Sequence, residues 1–141
     1  MNRTGKKYSF ALAMIIICVG CAYHPFSKKR FDVNDGRLSE LTSIAQSAVK
    51  QGYLRGGEEA VFDYIQAKDP TILEWYRKNG YKIVISEVSN HAVIMICYKN
   101  KAILEDTNCT DGDPDKDYRN STENIPCEVT MTEEEVNSIC Y

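Results

Sequence analysis

At Gly80 the hydrophobic period of this chain changes, and that change constrains the fold more than any other feature of the sequence. Before it, apolar residues recur at steps of three and four. Leu38, Leu41, Ile44, Ala45, Ala48 and Val49 form one such stripe, closed by Gly52. Gly56-Gly57 opens a second helix carrying Val61, Phe62, Tyr64 and Ile65. Asp69-Pro70 is a helix-start signal for a third, with Ile72, Leu73, Trp75 and Tyr76, which ends at Asn79-Gly80. After Gly80, Tyr81–Val88 is rich in β-branched residues and reads as a strand. His91–Tyr98 is apolar on both faces, hence a buried central strand, and Ala102–Asp106 is a third strand after the turn 99–101. Helices first and an antiparallel meander after them predict an α+β domain.

The segment from Thr107 to Pro126 is turn-rich, and a short final helix is expected from Thr130 to Ile139, capped by Thr132. Glu133, Glu134 and Glu135 suit the positive end of that helix. Cys97, Cys109, Cys127 and Cys140 all fall in this half. Four cysteines allow three disulfide connectivities. Cys109 is expected to join Cys127 or Cys140, because that polar region has little else to order it. Cys97, set among apolar residues, reads equally as a buried thiol. These four cysteines make no CxxC and the chain has no His-rich spacing, so no metal site is expected, and nothing calls for a cofactor.

The first twenty residues differ from everything after them. Arg3, Lys6 and Lys7 precede the ten-residue apolar run Phe10–Val19, and Gly20-Cys21-Ala22 follows. A charged start, a short apolar run and small residues at the boundary are the layout of a secretory signal. The run is too short for a transmembrane helix, which needs about 20 residues. Cys18-Val19-Gly20-Cys21 resembles a bacterial lipobox, with Cys18 where Leu is usual. The resemblance implies cleavage before Cys21 and its acylation (palmitate among the chains), giving residues 1–20 as signal peptide, 21–36 as membrane-proximal linker and 37–141 as one domain. Conventional cleavage after Ala22 is the alternative. Ala22, rather than Asp, resembles lipoproteins of the outer membrane facing the periplasm. Several acyl chains on one residue hold a bilayer stably, and Lys28-Lys29-Arg30 adds attraction to anionic headgroups.

Loss of residues 1–20 moves the net charge from −3 to −6, and between positions 101 and 141 eleven Asp/Glu face three Lys/Arg. With no basic, aromatic-interleaved stripe, nucleic acid is not an expected partner. The expected partners are the membrane, through the lipid, and another envelope protein.

His91 opens one strand and Asp106 closes the next. With an even-numbered loop around Asn100, Val93 faces Asp106 and Asn108 faces His91, which puts His91 and Asp106 on one sheet face as diagonal neighbours. A carboxylate there can orient an imidazole and stabilise its charged form. The run His91-Ala-Val-Ile-Met-Ile-Cys-Tyr-Lys-Asn-Lys-Ala-Ile-Leu-Glu-Asp106-Thr resembles the His–Asp hairpin of transglutaminase-like and papain-like cysteine peptidases. It implies a helix-then-antiparallel core over residues 38–107 and, as an alternative function, a cysteine peptidase or amidase using His91 and Asp106. The nucleophile that this resemblance requires is missing, since residues 22–96 contain no Cys. Gly56-Gly57-Glu58-Glu59-Ala60 stands where it belongs, and Ser43 and Ser47 are mid-helix hydroxyls. The expectation is therefore a core that kept its shape and lost its chemistry, in a lipoprotein acting as a non-catalytic interaction or assembly factor. Asp111, Asp113, Asp115 and Asp117 alternate in a loop as Ca²⁺ ligands can. Lys116, however, stands where the EF-hand loop has Gly and Glu123 comes one residue late, so a solvated acidic loop is expected.

Overall fold

The computed structural model describes residues 35–141; the signal, Cys21 and most of the expected linker lie outside the described residues. Helix α1 spans Asp35–Lys50 and so begins two residues inside the stretch 21–36 that the sequence reading assigns to a linker. Its apolar stripe is buried as the period requires: Leu38, Leu41, Ala45, Ala48 and Val49 are all in the core. Gly52, at φ 80°, ends the run in a conformation that glycine adopts without strain. A 3₁₀ turn, Tyr53–Gly56, then leads to α2, Glu58–Lys68. Helix α3, Pro70–Lys78, starts on Asp69, whose carboxylate accepts from the Thr71 amide at 2.8 Å.

Four strands follow in the order β1-β2-β3-β4, all antiparallel: β1 Tyr81–Val88, β2 His91–Tyr98, β3 Lys101–Asp106 and β4 Lys116–Asp117. The two hairpin loops, Ser89-Asn90 and Lys99-Asn100, have positive φ at both positions, as two-residue turns matching strand twist require. β4, only two residues long, has no periodic signal in the sequence. Helix α4, Glu133–Cys140, closes the chain with a reciprocal capping box between Thr132 and Glu135.

β2 is buried on both faces. Ala92, Ile94 and Ile96 pack in the core formed by α1, α2 and α3. Val93 packs with Met131 and Val136, while Met95 and Cys97 pack with Tyr118, Ile125 and Cys127. The turn-rich C-terminal segment is thus the cover of the second face. Two disulfides fasten it: Cys97–Cys127, which decides between the two readings of Cys97 in favour of a bonded cysteine, and Cys109–Cys140. With sequence separations of 30 and 31, each removes chain entropy on the order of 3–4 kcal/mol from the unfolded state. Among the described residues no helix is long and apolar enough to cross a membrane.

Glu105 provides a third attachment. It is fully buried and points to the covered face. One of its carboxylate oxygens accepts from the amides of Thr130 and Met131 at 2.7 and 2.9 Å. The other accepts from the Thr130 hydroxyl at 2.6 Å and the Tyr118 hydroxyl at 2.9 Å. Four donors offset the desolvation of one carboxylate, which is the condition for burying it. Burial raises the Tyr118 hydroxyl to about 12, so it remains a donor.

Candidate functional site

Near its turn the β2–β3 hairpin has the expected register, Tyr98 opposite Lys101 and Cys97 opposite Ala102. A β-bulge then intervenes, so that Ile96 pairs with Leu104 and Ile94 with Asp106. One residue of slip moves a strand's side chains to the other face. Asp106 therefore lies on the helix side with Ile94 and Leu104, whereas His91 alternates with Val93 on the covered side. The structure does not bring His91 and Asp106 together on one face, which corrects the expected diagonal pair.

Asp106 is 5% exposed. It accepts from the Asn108 amide at 3.2 Å, beside Thr42 of α1. Burial lifts its carboxyl to about 6, and the nearby Asp115 charge adds to the lift. Asp115 is itself engaged, accepting from the Thr107 amide at 2.7 Å and the Thr110 hydroxyl at 2.9 Å. Asp117 pairs with Arg119 at 2.6 Å. Asp111 and Asp113 are exposed. The four alternating aspartates thus take separate roles, two of them bracing the loop.

His91 sits at the mouth of a polar cleft of ≈ 410 Å³, shared with Ser43, Gln46, Ser47 and Lys50 of α1 and with Thr107, Asn108 and Cys109. The Ser89 carbonyl, 2.9 Å from Nδ1, can only accept, so Nδ1 carries a proton and the other ring nitrogen is the basic one when the ring is neutral. The Tyr141 ring meets the imidazole edge-on at 5.3 Å. Gln46 ties α1 to β2 by accepting from the Ala92 amide at 2.8 Å, while its buried Nε2 has no hydrogen-bond partner among the described residues. Ser47 is held by Tyr64 at 3.1 Å and by Gln51 at 3.1 Å. Ser43 is exposed on the cleft wall.

Beyond His91, sequence reasoning missed what surrounds it. A ring nitrogen of His91 and the sulfurs of Cys109 and Cys140 all lie within 4.8 Å of one another. Two thiolates and an imidazole are a metal-ligand set, but here the sulfurs are bonded to each other. Among the described residues, all four cysteines are in disulfides. The 48 residues between His91 and Cys140 left no spacing signal for this meeting. Trp75, Tyr76, Tyr81 and Tyr98 form a contiguous aromatic group at the core margin, consistent with packing. No protein-family model, curated protein or solved structure matches this chain.

Proposed function

We propose that this is a cell-envelope lipoprotein, acylated at Cys21, whose domain acts as a non-catalytic interaction or assembly factor. The observation that carries the reading is the use of all four domain cysteines in disulfides, which fits an oxidising compartment and leaves no thiol nucleophile among the described residues. The separation of His91 from Asp106 onto different faces supports it further. The surface offered to a partner is the acidic cover of β2, where Asp111, Asp113, Glu123, Glu128, Glu133 and Glu134 are exposed. Such a surface favours a basic protein partner, steered by charge and weakened by salt.

The test is the intact mass of the protein extracted from membranes, alkylated before reduction. A triacyl-sized addition on a chain starting at Cys21, with no alkylated thiol, is the expected result. An unlipidated mass, or a Cys21→Ser variant that still fractionates with membranes, would overturn the tether.

A further inference from the structure

The two disulfides differ in their surroundings. Cys97 is fully buried between β2 and its cover, and its mate Cys127 is half-buried against the same cluster and, among the described residues, lines no cleft with a histidine. Cys109 and Cys140 are half-buried, and Cys109 lines the open polar cleft beside His91. We infer that Cys109–Cys140 is a thiol-exchange site, at which a cysteine of a partner protein becomes covalently joined to Cys109 with His91 as the proton carrier. This goes beyond the tether and depends on His91 and the disulfide, not on Cys21.

The chemistry follows from position. A disulfide is broken by attack of a thiolate on one sulfur, with the other sulfur leaving. Cys109 is the sulfur reached from the cleft, so Cys140 is the leaving group. Cys140 is the last residue of α4, where the negative end of the helix dipole disfavours a thiolate. Departure from that position is slow unless a proton is supplied. His91 is within reach of both sulfurs, and its tautomer is fixed by the Ser89 carbonyl. The basic ring nitrogen takes the proton of the incoming thiol, while the exposed Lys50 ammonium on the cleft wall favours the resulting thiolate. The new sulfur–sulfur bond forms at Cys109 as the Cys109–Cys140 bond breaks. The electron pair goes to Cys140 Sγ, which receives the proton from the imidazolium. One thiol and one disulfide give one mixed disulfide and one thiol, with no external oxidant.

The test uses the full-length chain, with N-acetyl-cysteinamide as the attacking thiol and acid quenching before mass mapping. The expected product carries the adduct on Cys109 with Cys140 as the free thiol, formed well before Cys97–Cys127 opens. His91→Asn retains a donor for the Ser89 carbonyl but has no basic nitrogen, and should slow exchange at Cys109 by about 10-fold or more. Cys97–Cys127, opening at an unchanged rate in the same molecule, reports that the fold is intact. If that rate rises, His91→Gln is measured in its place. Equal reactivity of the two disulfides, adducts on Cys140 instead of Cys109, or unchanged exchange in the His91 variant with its fold intact would each overturn the assignment.

Discussion

Asp106 pairs with Ile94 across the β2–β3 ladder, which turns its carboxyl toward Thr42 of α1 and away from His91. The carboxyl is held in a site that disfavours its charge, and the protein's stability should record this.

Because burial raises the folded pKa of Asp106 from 3.8 to about 6, the folded state binds the proton more tightly than the unfolded state between those values. Stability from this group is therefore lost as pH rises through the window. Asp106→Asn, which cannot ionise, should match the parent near pH 4 and exceed it at pH 8 by about 1–2 kcal/mol, allowing for solvent that still reaches the site. Urea denaturation of both proteins at the two pH values checks this. A variant no better at pH 8 than at pH 4, relative to the parent, would sink the idea.

Glu105 should be far less replaceable. Glu105→Leu leaves the Thr130 and Met131 amides buried without acceptors and should cost about 3–5 kcal/mol. Glu105→Gln keeps one carbonyl acceptor and should cost about 1–2 kcal/mol. Equal losses in chemical denaturation would show that volume, not hydrogen bonding, explains the residue.

Removing the Cys97–Cys127 staple by a Cys97→Ala/Cys127→Ala double replacement should cost roughly 3–4 kcal/mol. The loss should be local in its dynamics. Amides of residues 118–130 are expected to exchange faster, while those of α1 and β1 stay protected. Uniform acceleration across the domain would contradict a separately fastened cover.

The Lys99-Asn100 turn carries two non-glycine residues at φ 50° and 62°. Replacing the pair by Asn-Gly should add on the order of 0.5–1 kcal/mol by relieving that conformation, less what is lost from the Lys99 ammonium 5.5 Å from the Tyr98 ring. A melting temperature at or below that of the parent would count against it.

The helices and the three long strands were legible because each carries its own period and its own punctuation: Gly52, Asp69-Pro70, Gly80 and the cap at Thr132. Thr132 is the cap that the sequence suggested, although the helix expected from Thr130 starts only at Glu133. What could not be read was whatever depends on residues meeting from afar. The bulge in β3 has no glycine or proline to announce it, and it alone reverses the face on which Asp106 lies. The role of Glu105 was hidden because its donors are 13 to 26 positions away. Cys109 was rightly expected to take Cys127 or Cys140 as its partner, whereas the Cys97–Cys127 bond needs the knowledge that the polar segment lies back over β2.

The two disulfides interleave: Cys109 lies inside the loop closed by Cys97–Cys127, and Cys127 inside the loop closed by Cys109–Cys140. A chain delivered N-terminus first presents Cys97 and Cys109 together before either native mate has arrived. The earliest bond open to it is one that the finished molecule does not contain. Maturation is then a problem of timing as much as of energy. Either the thiols wait until the last residues are through, or a wrong bond is made and must be exchanged by a disulfide isomerase.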